Sequence, residues 1–323
     1  MHALTRRDLL RAAGTLSAAL MVAPTTALGQ AQDALRVWRY KGQAASFLDL
    51  AGQAQTPYPI TWVDTPGGNL VLEALRSGDL DYAYMSEIPP IFAALAGAPP
   101  VLIASFEGDA NDTGLVVKRD SGIRQVQDLR GKSISYVRGT NTHYFVLNLL
   151  ARNGLTTADI TPVPLPIQDA LTAFRNGHID CVAAGGISGL QAVSQMDGVM
   201  LDNVSQYYSG NYVIATTAAA LADPARRARI GDFLAREKAT WAWVQAHPEA
   251  WAERSQALTG IDRALYLQQF EQRSRPLRLT AVNAAALDSQ QAVADLFLAN
   301  RLIRERVDVR ALWREEFTSL LNS

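Results

Sequence analysis

The run Ser133–Leu155, SISYVRGTNTHYFVLNLLARNGL, decides how the chain is read. Ser133 to Val137 is a β-branched and aromatic run that predicts a strand. From Tyr144 apolar residues recur at helical spacing, Phe145 with Leu149 and Val146 with Leu150, until Gly154. Between them sits Arg138-Gly139-Thr140-Asn141-Thr142, a glycine turn and three small hydrogen-bonding residues that open the helix. Backbone N–H groups, hydroxyls and the positive end of a helix dipole then converge before the strand's carboxyl end, a place that attracts an anion. A plain helix cap would use the same residues, so the choice between the two readings rests on the rest of the chain.

Upstream the same device recurs. A strand, Leu35–Tyr40, is followed by Lys41-Gly42-Gln43-Ala44-Ala45-Ser46 and a helical run through Ala51. A second strand, Ile60–Val63, leads through Pro66-Gly67-Gly68-Asn69 to a helix from Leu70 to Arg76 and then Gly78. The strand Leu80–Tyr84 ends at Met85-Ser86-Glu87-Ile88-Pro89-Pro90, a short Ala-rich helix runs to Gly97, and Val101–Ala104 is a further strand. Strands alternating with helices predict a parallel, right-handed α/β sheet with its ligand site beyond the carboxyl ends of the strands.

The chain also repeats itself. Ala74-Leu75-Arg76-Ser77-Gly78-Asp79-Leu80-Asp81-Tyr82 and Ala173-Phe174-Arg175-Asn176-Gly177-His178-Ile179-Asp180-Cys181 place helix end, glycine C-cap and strand start in one order. Two similar lobes follow: residues 32–115 with 217–323, and residues 116–216. Thr113–Val117 and Asn211–Thr216 read as the long strands that pass between them. Beyond Ala218 the pattern is almost wholly helical. Trp241, Trp243, Trp251 and the stripe Leu296, Phe297, Leu302, Ile303 are expected in the core of the first lobe, and Phe317–Leu321 is expected to dock there too. The arginines and aspartates of the repeat suit helix ends and strand starts, and Cys181 suits a buried strand position rather than a nucleophile.

With 323 residues, 48% of them hydrophobic, and a net charge of −1, the chain is a well-buried protein with no charge bias toward nucleic acid or an anionic membrane. One cysteine allows no intramolecular disulfide, and His2, His143, His178 and His247 lack ligand spacing, so no metal, cofactor or catalytic set is legible. Residues 1–31 read as an address. Thr5-Arg6-Arg7-Asp8-Leu9-Leu10 is a twin-arginine start, Ala12–Ala23 is mildly apolar, and small residues suited to cleavage follow at Ala27–Ala31. The apolar run is too short to span a bilayer, and no cysteine near the cleavage region offers a lipid tether. The expectation is an unanchored protein of a Gram-negative periplasm, exported already folded.

In this order of elements the chain resembles the aliphatic-sulfonate, taurine and nitrate substrate-binding proteins of ABC importers. The likeness rests on the Tyr-Lys-Gly turn at Tyr40–Gly42, on Glu87-Ile88-Pro89-Pro90 and on Asp128 through Tyr144, and covers roughly residues 34 to 300. The resemblance implies a two-lobed, type II periplasmic-binding-protein fold. Its α/β lobes of parallel sheet are joined by two crossing segments and close on the ligand by hinge motion. It implies ligand contacts from Lys41, Gly42 and Gln43, from Ser86 and Glu87, and from Gly139, Thr140, Asn141, Thr142 and Tyr144. The implied role is non-enzymatic: a monomer that captures a small organic anion, a sulfonate first of all, for an inner-membrane permease and its ATPase. A desulfinase-like or pyrimidine-synthase-like enzyme is the alternative. Where the family commonly has Asp before the proline pair this chain has Glu87. Where it commonly has Trp and Pro after a second-lobe strand, this chain has Ala184-Gly185-Gly186-Ile187-Ser188-Gly189. That loss of bulk at Gly186 is expected to widen the cleft for aryl or branched sulfonates, with Tyr40 or Tyr144 stacking on them.

Overall fold

A computed structural model describes residues 34–65, 69–108, 111, 113–273 and 275–323. The export signal read at 1–31 and the loop at 66–68 lie outside the described residues. Eleven strands are found among the described residues. In the first half β1 (Leu35–Arg39) pairs in parallel with β2 (Ile60–Asp64), and a bridge from Val37 to Tyr82 joins the pair to β3 (Ala83–Ser86). Between β3 and β4 (Val101–Glu107) lies β10 (Tyr212–Thr216), antiparallel to both, and β11 (Arg278–Thr280) covers the outer edge of β4.

The second sheet has the order β7 (Thr161–Pro164), β6 (Ser133–Tyr136), β8 (Cys181–Ala184), β5 (Gly114–Lys118), β9 (Gly198–Asn203). Here β6 is parallel to β7 and β8, while β5 runs antiparallel between β8 and β9. Both halves therefore share one device: a strand of opposite direction, β10 in the first sheet and β5 in the second, inserted between strands that run the other way, with β11 as a further antiparallel edge in the first sheet. The α/β reading of the sequence holds, with mixed rather than purely parallel sheets. The inserted strands are the ones read as long crossings. Each stays within a single sheet, and Tyr212–Thr216, assigned from sequence to the second lobe, hydrogen-bonds in the first. A chain returning from the other half arrives from the opposite direction, so antiparallel pairing is the register open to it.

The repeat seen in sequence is a repeat of hydrogen bonds. Gly78 (φ +81°) and Gly177 (φ +73°) turn the chain out of α1 (Asn69–Ser77) and, in the second half, out of the helix Ile167–Arg175. Asp81 then accepts the Arg36 N–H of β1 at 3.0 Å, and Asp180 accepts the Ser133 N–H of β6 at 2.8 Å. Asp81 is 1% exposed and is paired with the guanidiniums of Arg36 and Arg226, which fits its structural reading.

The remaining helices, in chain order, are α2 (Pro89–Leu95), α3 (Asn141–Arg152), α4 (Ile167–Arg175), α5 (Gly186–Gln195), α6 (Ala218–Ala222), α7 (Pro224–Ala246), α8 (Pro248–Thr259), α9 (Arg263–Glu271), α10 (Ala284–Ala299) and α11 (Thr318–Asn322). The residues after β1 expected to be helical form only a 3-10 turn, Ala44–Ser46, and successive turns. Strand periodicity builds the core. In β10 Val213 and Ala215 face a cluster with Ile88, Ile91 and Phe297, while Ile214 faces the opposite cluster with Phe233, Leu234 and Trp241. Buried side chains of this size each contribute about 1.5–3 kcal/mol. Phe317 and Leu321 dock on the second of these clusters as expected.

Candidate functional site

A cavity of about 280 Å³ opens where the strand ends of the two sheets face each other. The first half supplies the turn after β1. Gly42 has φ +83° and its N–H donates to Ser46 Oγ at 3.0 Å. A Cβ there would come within 3.3 Å of Ile187 Cδ1, so glycine serves both the turn and the close approach of α5. The turn brings Tyr40, Lys41 and Gln43 to the cavity. Tyr40 is stacked on Trp38 at 5.4 Å, and Gln43 Oε1 is buried with no hydrogen-bond partner in the structure. A buried amide oxygen of this kind is costly unless a ligand or solvent completes it.

The second half supplies the start of α5. Gly185 is its extended N-cap, Gly189 N–H donates to Gly185 O at 3.3 Å, and Gly186, Ile187 and Ser188 line the cavity. Their backbone N–H groups belong to the turn that has no helical acceptor. Three residues of this helix end line the cavity, whereas from the start of α3 only Asn141 does. Gly185 is glycine because a Cβ would meet Thr113 Oγ1 at 2.2 Å, and Gly186 has φ +54°. Both serve the backbone where β8 passes the crossing segment.

Of the residues expected at the site, Lys41, Gly42, Gln43, Asn141 and Gly186 line the cavity. Ser86, Glu87, Gly139, Thr140, Thr142 and Tyr144 do not. Thr140 Oγ1 donates to Val137 O at 2.8 Å, Thr142 Oγ1 accepts Val137 N–H at 3.1 Å, and the two hydroxyls lie 3.0 Å apart, so the turn consumes its own donors. Gly139 N–H donates to His143 Nδ1 at 3.2 Å, and Gly139 lies against the ring of Phe92. Tyr144 is 6% exposed, packed in the core at 5.0 Å from Tyr208 and 6.1 Å from Phe297. Ser86 pairs with Tyr212 in the sheet.

Glu87 is fully buried behind the cavity. Its Oε1 accepts from Ser289 Oγ at 2.7 Å and Ser209 Oγ at 3.3 Å, and desolvation pushes the carboxyl up to about 7 against those hydroxyl bonds. Tyr208, whose ring lines the cavity, is held well above the usual phenol range by burial and by Glu87.

Several lining groups escaped the sequence reading. Trp241 and Trp251, expected only as core, are buried and also form the wall made by α7 and α8. Trp241 Nε1 donates to the buried Glu237 at 3.4 Å, which itself accepts Tyr82 OH at 2.5 Å. Arg273, just beyond α9, lies over the rings of Trp251 and Phe270 at 5.2 and 4.9 Å. The cluster Arg273-Ser274-Arg275-Pro276-Leu277-Arg278 was the signal that could have found it. No Asp or Glu lines the cavity among the described residues. Cys181 is buried in β8, its thiol pushed up to about 12 by desolvation, and it lies outside the cavity lining.

The family model described as NMT1/THI5 like matches residues 61–251. An Escherichia coli (strain K12) protein named for binding aliphatic sulfonates is 30% identical over 292 residues, which cover 87% of this chain and 89% of that protein. The crystal structure of the periplasmic aliphatic sulphonate binding protein SsuA from Escherichia coli superposes with TM-score 0.76 at 27% identity, covering 88% of this chain and 92% of that one. The alkanesulfonate-binding protein SsuA from Xanthomonas axonopodis pv. citri, bound to MOPS, gives TM-score 0.77 at 27% identity, covering 87% and 98%.

Proposed function

The chain belongs to the NMT1/THI5-like family, and from that premise we propose that it is a periplasmic solute-binding protein that captures a sulfonate for ABC import. The observation that carries the reading is the lining of the cavity. Lys41 and the first residues of α5 line it, and no carboxylate does among the described residues. A sulfonate is ionised throughout the physiological pH range, and its three oxygens match several converging donors without needing a proton from the protein. Release requires only that the donors part.

The two sheets belong to two lobes that rock about the chain crossings that lead into β5 and β10. Packing of Ile187 over Gly42, and of Phe92 over Gly139, supports a form in which the lobes are closed. The twin-arginine signal delivers the folded chain to the periplasm, where it works as an unanchored monomer and hands its ligand to a permease and its ATPase. The protein binds without turnover: the one thiol is buried in a strand, away from the cavity, with its ionisation suppressed.

A thermal-shift and native mass-spectrometry screen of alkyl sulfonates, aryl sulfonates, taurine, sulfate esters and nitrate tests this. A sulfonate at about a hundred times its Kd raises stability by about 2.7 kcal/mol, and the ligand is recovered intact after long incubation. A screen in which no sulfonate binds, or in which sulfite is released in proportion to protein, refutes the reading.

A further inference from the structure

The sulfonate reading uses the turn after β1 and the start of α5; the same cavity is also lined by a second cationic side chain, Arg273, from another element. Asn141 Nδ2 donates to the Tyr212 hydroxyl at 3.4 Å, and from Tyr212 a ladder of rings runs along the cavity. Tyr212 stacks on Tyr84 with centroids 4.6 Å apart and planes within 7°. Tyr84 meets Phe106 at 5.6 Å and Phe106 meets Trp241 at 4.8 Å. Beyond that ladder α8 and α9 present Ser255, Thr259 and Gln269, with Trp251 set edge-on to Tyr266 at 5.5 Å and the Arg273 guanidinium laid over Trp251.

Lys41 and Arg273 therefore reach the cavity from different elements, one on the turn after β1 and one beyond α9, and aromatic rings line the same cavity. A ligand with a single anionic group engages one of them. Building on the sulfonate reading, we propose that the ligand class is an aromatic sulfocarboxylate, with two anionic groups on a flat spacer. The sulfonate, with three oxygens, takes the converging N–H groups at the start of α5, near Gln43 and Lys41. The carboxylate takes Arg273, whose planar fork matches two oxygens, with Gln269 and the hydroxyls of α8 beside it. The spacer lies against the ring ladder, where offset stacking favours an aromatic over an alkyl chain.

Titration calorimetry with 4-sulfobenzoate and benzenesulfonate, on the wild type and on Arg273→Gln, tests the assignment. The wild type binds 4-sulfobenzoate about tenfold or more tighter than benzenesulfonate, and Arg273→Gln erases that advantage while leaving benzenesulfonate within about threefold. The wild-type comparison stands even if the variant does not fold. Equal wild-type affinities overturn the second subsite and leave the sulfonate reading intact. An equal loss of both ligands in the variant places the sulfonate itself on Arg273 and likewise overturns it. Failure of both ligands to bind the wild type overturns the sulfonate reading, and the inference with it.

Discussion

Among single residues, Glu87 shows how a position that looks like a ligand contact becomes part of the frame. In sequence it precedes a proline pair at a strand end facing the cleft. In the structure its carboxyl is sealed behind the cavity by Ser289, Ser209 and Tyr208. Its folded pKa of about 7 lies above its usual 4.5. Between those values the native state holds a proton that the unfolded chain releases, so the stability due to neutral Glu87 is present at low pH and is lost as pH rises through 7. Glu87→Gln keeps the shape and removes the titration. Its unfolding free energy relative to wild type should therefore rise from pH 5 to pH 8, by up to about 3 kcal/mol. Denaturant melts of the pair across that range measure it, and a difference that does not vary with pH rules the account out. Arg273 is the converse case. Nothing in helical spacing marks a residue two places past a helix end as a cavity wall, because that depends on how α8 and α9 fold over the sheet.

At the scale of elements, the local grammar of the sequence was readable and its aim was not. Strand, glycine turn, small polar residues and helix occur at β6–α3 as expected; the same device read after β1 yields only a 3-10 turn, and a second strand–glycine–helix junction stands at β8–α5, where the sequence had suggested only a missing wall. Which of the two points donors at the cavity is decided by side-chain rotamers. At α3 the hydroxyls of Thr140 and Thr142 turn back onto Val137, while at α5 Gly185, Gly186, Ile187 and Ser188 all line the cavity. The glycines of α5 also looked like a removed wall, whereas Gly185 is required by the passage of Thr113. Gly185→Ala should push α5 off the crossing segment, costing about 1–3 kcal/mol and weakening sulfonate binding. Thr113→Ala should relieve part of that cost. A double-mutant cycle that finds the two changes additive would show that the contact does not position the helix.

Over the whole molecule, the twofold plan was legible because the glycine C-caps and strand-leading aspartates recur in sequence, and both aspartates make equivalent bonds to the neighbouring strand. The exchange of strands was not, since a five-residue apolar run carries no mark of its direction. All five strands of the second sheet lie between residues 114 and 203, so a fragment of about that span, carrying its own helices, should fold alone; a fragment ending before residue 212 should leave the first sheet open. Circular dichroism and hydrogen exchange on the two fragments test this, and a first sheet protected without β10 would sink it. The inserted strand β10 also sets a timetable. As the chain leaves the ribosome, the half that emerges first cannot be completed first. Its sheet waits for residues 212–216, and its outer edge waits for residues 278–280. The early strands must therefore be kept from mispairing through most of synthesis, while the later half matures ahead of them.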